Sequence, residues 1–235
     1  MYAGILNRIA HMRRGENNIE AELREAICKV GRWLYAKNLI AATDGNISIR
    51  LSAERFLCTP SGVPKGILHP DDLLVVDAHG KKISGSGRVS TEIFTHLAAY
   101  EERKDIGAAV HAHPPKAVAL TLAGISMEEQ VLPEVVYALG AVPTAPYATP
   151  GTPEGAEAIR DLIRRNDAVL LDRHGALTVG PNVFAAYHAM ERLEHAAGII
   201  LDATLLGGPR KLSEDELLRL RQARREYENE SSADG

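Results

Sequence analysis

The segment Ala108-Ala-Val-His-Ala-His-Pro-Pro115 combines an apolar run with two histidines one residue apart and two prolines that end the run. Short apolar runs of this kind are typical of buried strands. Because side chains i and i+2 of a strand point to the same face, we expect His111 and His113 to present their imidazoles together. Paired imidazoles are zinc ligands in many proteins. The same spacing also occurs in strand-end histidines that only form hydrogen bonds, so the pair alone leaves both interpretations open.

Two further residues are candidate metal ligands. His174 precedes Gly175 just after a predicted buried strand, which is an accessible position, although ordinary turn histidines also occur there. Glu92 lies in the first turn of a predicted helix, where the positive end of the helix dipole favours an ionised carboxylate. An acid there can equally serve only to complement the dipole. His96, one helical turn later, is either a ligand, a partner of Glu92 or a packed core histidine.

The rest of the chain predicts one layered domain of mixed α and β structure. Apolar residues at helical spacing predict a helix over about 19–38, and Ser90 is expected to cap a helix that ends near Arg103. Short strand-like runs between residues 47 and 84, separated by Gly and Pro, indicate a meandering sheet. Strands at 168–171 and 176–179, a long helix at 182–206 and a final helix from Ser213 follow.

Composition narrows the function classes. The 235 residues carry a net charge of −4, and this near-neutral balance argues against a nucleic-acid or anionic-membrane binder. The longest uncharged run, 135–153, is interrupted by prolines, which argues against a membrane span. We therefore expect a cytoplasmic protein. Residues 1–18 are expected to form a loosely held arm, 19–228 the catalytic domain and 229–235 a frayed tail.

Three turns of the sequence are candidate anion-binding corners. Each combines a small or hydroxylated residue with backbone N–H groups, and one also coincides with a helix N-terminus, where phosphate binds favourably. The candidate residues are Asn46, Ser61, Gly62, Ser90 and Thr91. None of the three turns is a P-loop or a dinucleotide fingerprint, so the sequence does not support ATP or NAD as a ligand.

Taken in order, these pieces resemble one family. The motifs are Asp44-Gly-Asn-Ile-Ser48, Thr59-Pro-Ser-Gly62, Ser90-Thr-Glu92, His111-Ala-His113, Ala145-Pro-Tyr-Ala-Thr149 and Arg173-His-Gly175. Together they resemble the class II aldolase/adducin family from about residue 20 to about residue 228. The ordered set is specific, although no single motif is.

The resemblance implies an α/β (α+β layered) zinc enzyme with a central, mostly antiparallel sheet between helical layers. It also implies a homotetramer with active sites between subunits. His111, His113 and His174 match the zinc ligands of the family, and Glu92 matches the acid that both binds zinc and transfers a proton. The candidate anion-binding residues match its phosphate-binding positions. Tyr137 matches a tyrosine that reaches a neighbouring subunit's site, and Tyr227 matches one that closes the site. Mn²⁺ or Co²⁺ also suits imidazole ligands.

The implied reaction is the cleavage of a sugar phosphate, a ketose 1-phosphate, to glycerone phosphate and an aldehyde. Candidate substrates are L-fuculose 1-phosphate and 5-deoxy or 5-methylthio ribulose 1-phosphates. Pro150 stands where the fuculose-cleaving members have an aromatic residue, which leaves the aldehyde open.

Two alternatives stay open. A pentulose-phosphate 4-epimerase or a decarboxylase would use the same metal site, although the epimerase branch carries Asp where this chain has Glu92. A metal-free scaffold domain, as in adducin, would not need the four candidate ligands, all of which this chain has.

Overall fold

The strand that carries the His-Ala-His motif lies near the centre of an eight-stranded sheet in a computed structural model of the chain. The structure describes residues 2–129 and 131–233, without the side chains of 2–17, 224 and 227–233. The strands are β1 Asn46–Ser52, β2 Arg55–Cys58, β3 Leu74–Asp77, β4 Lys82–Ser84, β5 Ala108–Ala112, β6 Thr144–Ala145, β7 Ala168–Leu171 and β8 Gly175–Gly180. The helices are α1 Tyr2–Ala36, α2 Ile93–Glu102, α3 Pro115–Leu122, α4 Pro133–Ala138, α5 Pro153–Ile163, α6 Val183–Leu205 and α7 Glu214–Ala233.

The strand order is β4-β3-β2-β1-β5-β8-β7-β6. Each neighbouring pair is antiparallel except β6 and β7, which run parallel. The predicted mostly antiparallel sheet is therefore confirmed. Because β5 and β8 are antiparallel neighbours, the end of β5 lies beside the start of β8, and the residues that flank these two ends are brought together.

Helices cover both faces of the sheet. One apolar cluster includes Val110 of β5 and residues of α1, α3 and α6, and the other includes Ala109 of β5 and residues of α2 and α5. Burial on both faces explains why β5 is apolar without alternation. His111 points to the same face as Ala109, toward the α2 and α5 layer. The predicted helical layers on either side of the sheet are confirmed.

Several predicted helix boundaries differ from the structure. Helix α1 begins at Tyr2 rather than near residue 19, because the preceding segment has no proline and contains good helix formers such as Arg13 and Glu16. Helix α7 extends to Ala233, into the segment predicted to fray. The predictions that 1–18 form a separate arm and that 19–228 is the catalytic unit remain predictions.

The start of α2 was wrongly predicted. Its N-cap residue is Glu92, not Ser90. Ser90 forms the turn before the helix, where its hydroxyl accepts a hydrogen bond from the Glu92 N–H at 3.2 Å and its carbonyl accepts one from Ile93 at 3.2 Å. Helix α4 was not predicted, because six residues are too few to show a helical period. Among the described residues, no helix has the length and apolar character needed to cross a membrane.

A buried lysine ties together the loops that lead into the site. Lys65 is 2% exposed, and its Nζ donates hydrogen bonds to the carbonyls of Thr43 at 2.6 Å and Val63 at 3.0 Å. Thr43 precedes Asp44 and the start of β1. Burial lowers the pKa of Lys65 to about 8, although the negative charges of Asp44 and Glu92 oppose this effect. The ammonium group therefore stabilises the loop geometry at a cost in desolvation.

We predict that this cost makes the stability of the protein depend on pH. The folded-state pKa of Lys65 lies below its ordinary value of 10.5, so the unfolded chain binds more protons between about pH 8 and that value. The free energy of unfolding of the wild type, measured relative to that of Lys65→Met, should therefore rise with pH in this window. Urea unfolding of both proteins at several pH values measures it. A difference that stays flat or falls would contradict the prediction.

Candidate metal centre

Three histidines converge where β5 ends and β8 begins. His111 and His113 lie at the end of β5, and His174 lies in the turn before β8. Their ligating nitrogens all lie within 4.8 Å of one another, and the Nε2 atoms of His111 and His113 are 3.1 Å apart. The ring centroids are separated by 4.8–5.0 Å. The three residues named from the sequence thus form one cluster, and no second cluster of this kind occurs among the described residues.

A glycine allows the three rings to approach. A Cβ atom at Gly175 would lie 2.9 Å from Cδ2 of His113 and 3.0 Å from Cε1 of His111, and it would collide with the Ala112 carbonyl. A side chain at this position would therefore push the imidazoles or the strand ends apart. This packing explains the glycine of the Arg173-His-Gly175 motif, and the candidate ligand His174 explains its histidine.

Neighbouring groups orient the two imidazoles of β5. Nδ1 of His111 lies 3.0 Å from the Ala176 carbonyl, which can only accept a hydrogen bond, so Nδ1 donates its proton there and Nε2 faces the other histidines. Nδ1 of His113 lies 3.6 Å from Oδ2 of Asp44. Both contacts turn the Nε2 atoms toward the centre of the cluster. Such outer contacts are typical of metal-binding histidines.

Glu92 completes the cluster. Its Oε1 lies 3.2 Å from Nε2 of His174 and 3.5 Å from Nε2 of His111, and its Oε2 accepts a hydrogen bond from Nδ2 of Asn46 at 2.9 Å. Burial favours the neutral acid, but hydrogen bonds and charge interactions with His111 and His174 outweigh it and hold the pKa of Glu92 well below its usual range. The carboxylate is therefore ionised.

The donor set fits a divalent metal. Burial, together with the neighbouring His111 and His174, lowers the pKa of His113 to about 4, so its imidazole is neutral at physiological pH. Neutral imidazoles and a carboxylate oxygen, brought together in a partly buried site, are the ligands that zinc takes in catalytic sites. Nε2 of His111 faces this set, 3.1 Å from Nε2 of His113. His111, His113, His174 and Glu92 are thus the residues that could hold the ion.

The candidate anion-binding residues lie near the start of α2. Pro60 and Val89 form an isolated β-bridge, and the Ser61 N–H donates to the Arg88 carbonyl at 2.8 Å, which places the turn after β2 beside the turn before α2. Gly62 has a φ of +74° and open space around it. The Asn46 amide nitrogen contacts Glu92 instead of this corner. Phosphate binding by Asn46, Ser61, Gly62, Ser90 and Thr91 remains a prediction.

The two tyrosines and His96 lie outside the cluster or outside the described side chains. Tyr137 lies on α4, which packs on the α6 and α7 side of the sheet, away from Glu92. Tyr227 lies on α7, and its side chain is outside the described residues. Nδ1 of the buried His96 lies 2.7 Å from Ser48 Oγ, and burial lowers its pKa to about 3. His96 is therefore part of a core hydrogen-bond network with Ser48 and Tyr100.

A small cavity adjoins the cluster on the α5 side. It has a volume of about 30 Å³ and is lined by Glu92, Thr95, His111, Pro146, Ala148, Pro150, Gly151, Gly155, Ala158, Leu171, Asp172 and His174. Asp172 and the Asp44 that faces His113 were not assigned roles from the sequence. Asp44 begins the motif Asp44-Gly-Asn-Ile-Ser48, and Asp172 precedes the motif Arg173-His-Gly175. An aspartate in a turn, however, has no sequence pattern that separates it from ordinary turn residues.

Comparison with curated proteins identifies enzymes as relatives. The 3-oxo-tetronate 4-phosphate decarboxylase of Cupriavidus necator is 35% identical over 182 residues, covering 76% of this chain and 83% of that protein. The 5-deoxy-D-ribulose 1-phosphate aldolase of Bacillus thuringiensis is 34% identical over 199 residues, covering 83% of this chain and 91% of that protein. These relatives support a lyase-type activity.

Comparison with solved structures agrees with the fold. The L-fuculose-1-phosphate aldolase of Thermus thermophilus superimposes with a TM-score of 0.72 at 36% identity, covering 81% of this chain and 99% of that chain. A model of the family described as the class II aldolase and adducin N-terminal domain matches residues 25–201. This chain therefore belongs to the class II aldolase and adducin family, and it is an enzyme of that family.

Proposed function

We propose that this chain is a divalent-metal-dependent aldolase that cleaves a ketose 1-phosphate to glycerone phosphate and an aldehyde. The observation that carries the proposal is the convergence of His111, His113 and His174 with an ionised Glu92. Zinc is the metal that this donor set favours, and Mn²⁺ or Co²⁺ can take its place. A metal-free scaffold would have no use for this arrangement.

The residues of the site match the needs of retro-aldol cleavage. Breaking the carbon–carbon bond leaves an electron pair on the fragment that becomes glycerone phosphate. A divalent metal bound at the cluster would supply a Lewis acid beside this charge. Glu92 is ionised at rest and lies between the histidines and Asn46, so it would take up a proton from solvent and give it to the carbon that has lost its bond.

In this proposal, contacts with the phosphate, which lies away from the reacting carbons, supply binding energy. The turn that contains Ser61 and Gly62 lies beside the turn that contains Ser90 and Thr91. Both turns lie at the start of α2, near Asn46. Backbone N–H groups, hydroxyls and a helix N-terminus are the groups that hold phosphate without a lysine. A phosphate fixed there would position the sugar carbonyl at the cluster.

The proposed enzyme is a cytoplasmic homotetramer with active sites between subunits. Helix α4, which carries Tyr137, packs against α6 and α7, on the face of the sheet opposite to α2, so we assign Tyr137 to the site of another subunit. There, as a phenolate, it would take the proton from the hydroxyl that becomes the aldehyde, and Tyr227 would close the site. Size measurement in solution tests the assembly.

A decarboxylase is the second candidate, and the 35% identical relative from Cupriavidus necator favours it. Loss of carbon dioxide from a 3-oxo-tetronate 4-phosphate also leaves an electron pair beside the carbonyl and, after protonation, gives glycerone phosphate. The two reactions therefore need the same cluster and the same proton donor, and they differ in the group that leaves. A 4-epimerase uses the same cleavage and adds the aldehyde back.

A substrate panel separates these reactions. We expect glycerone phosphate and an aldehyde in equal amounts from L-fuculose 1-phosphate or 5-deoxyribulose 1-phosphate, with little carbon dioxide from 3-oxo-tetronate 4-phosphate. Enzyme-coupled reduction measures glycerone phosphate, and chemical trapping measures the aldehyde and the carbon dioxide. Release of glycerone phosphate from the keto acid alone would contradict the aldolase and support the decarboxylase.

His113→Ala should lose both bound zinc and activity while the fold persists. The substitution removes one of three imidazole ligands, and catalytic zinc sites seldom hold the ion with only two histidines as protein ligands. Elemental analysis and circular dichroism measure the two outcomes. His188→Ala is the matched control, because His188 is an exposed histidine on α6. Stoichiometric zinc retained by His113→Ala would refute the ligand assignment.

Glu92→Gln should lower kcat by about 10²–10⁴-fold, because an amide cannot take up and return the proton. The amide keeps the size of the carboxylate and can still face Asn46 through its oxygen. Steady-state kinetics at saturating metal measures the effect, with Glu54→Gln in the exposed β1–β2 turn as the control. An unchanged kcat would exclude Glu92 as the proton carrier.

A further inference from the structure

The strand order separates the two ends of the site. The predicted phosphate corner follows β2, on one side of the histidine cluster, and Asp172 follows β7, on the other side. The cavity beside Asp172 is bounded by Glu92 and His174. A ketose 1-phosphate whose phosphate lies at Ser61 and Gly62 would therefore direct its other end, the part that leaves as the aldehyde, toward Asp172.

The chemistry of this cavity is unusual for a site that handles anions. Its walls combine apolar and polar side chains, with Pro146, Pro150 and Leu171 among the apolar ones, and its two acidic groups are Glu92 and Asp172. None of the described residues that line it is lysine or arginine. About 30 Å³ leaves room for roughly two water-sized groups. The cavity therefore suits a small uncharged fragment.

Asp172 is held at this wall by a strained neighbour. Arg173 has a φ of +57°, a conformation that costs a non-glycine residue about 1 kcal/mol or more. Its N–H donates to Thr121 Oγ1 at 3.0 Å, its Nε donates to Asp172 Oδ2 at 3.0 Å, and its guanidinium stacks 5.1 Å from the ring centroid of Tyr147. Backbone strain of this kind clusters at functional sites.

We propose that Asp172 is a specificity-determining residue that accepts a hydrogen bond from a hydroxyl of the aldehyde fragment and excludes fragments that carry a carboxylate. A carboxylate offers acceptors only, so it pairs with an O–H group and repels another anion. The guanidinium of Arg173, which donates to Asp172, offsets part of this negative charge and so limits the repulsion. This inference rests on the proposed aldolase function, and it assigns the enzyme uncharged aldehydes, with a preference for those that carry a hydroxyl.

The test uses aldol addition of glycerone phosphate to three aldehydes of equal chain length: glycolaldehyde, acetaldehyde and glyoxylate. With the zinc-loaded wild type, kcat/KM for glycolaldehyde should exceed that for glyoxylate by at least about tenfold, with acetaldehyde between them. Asp172→Asn keeps the shape and removes the charge, so it should raise kcat/KM for glyoxylate relative to glycolaldehyde by about tenfold. Arg173→Met should change the ratio in the opposite direction, because it removes the cation that offsets Asp172.

Asp161→Asn, at an exposed aspartate paired with Arg164 on α5, is the control and should leave the ratio unchanged. Zinc content of each variant shows whether His174 still binds. A wild type that uses glyoxylate as well as glycolaldehyde, or an Asp172→Asn variant with an unchanged ratio, would overturn the assignment to Asp172 while leaving the aldolase intact. Failure of all three aldehydes with the zinc-loaded wild type would overturn the aldolase itself, and this inference with it.

Discussion

Antiparallel pairing of β5 with β8 is the constraint on which the site depends. The pairing places the end of one strand beside the start of the other, and so brings His174 next to His111 and His113, although His174 is far from them in sequence. Hydrogen bonds between the strands hold this register, and Gly175 lets the rings approach within it. Helix α2, packed on the same face, then adds Glu92.

Charge balance within the cluster makes this arrangement chemically useful. Burial alone would protonate Glu92 and would leave His113 neutral. The contacts between Glu92 and two histidines keep the carboxylate ionised despite burial, so the site holds one anion beside three imidazoles, of which that of His113 is neutral. Such a site is complementary to a divalent cation, and it would be poorly compensated without one.

The parts of the structure that could be predicted from the sequence are those with a local period or an ordered motif. The i, i+2 rule placed His111 and His113 on one face, and apolar runs located the buried strands β5, β7 and β8. The family resemblance, rather than any spacing, joined His174 and Glu92 to them. Helix α4 and the cap of α2 were missed or misplaced because short helices and turn hydroxyls have weak signals.

The contributions of Lys65, Asp44 and Asp172 could not be predicted, because each depends on a distant segment folding against it. Lys65 is an ordinary polar residue in the sequence, yet in the fold its amine is buried against the Thr43 carbonyl. Asp172 acquires its position from Arg173 and from a cavity that the loop after β6 closes. The positions of the groups that contact these side chains depend on tertiary packing, and no local sequence pattern predicts them.

X-ray absorption spectroscopy of the zinc-loaded protein tests the proposed metal centre most directly, because it reports the atoms bound to the ion. We predict one zinc per chain with three imidazole nitrogens at about 2.0–2.1 Å and an oxygen ligand at a similar distance. A spectrum without imidazole scattering, or a chain that binds no stoichiometric zinc, would contradict the assignment of the four ligands.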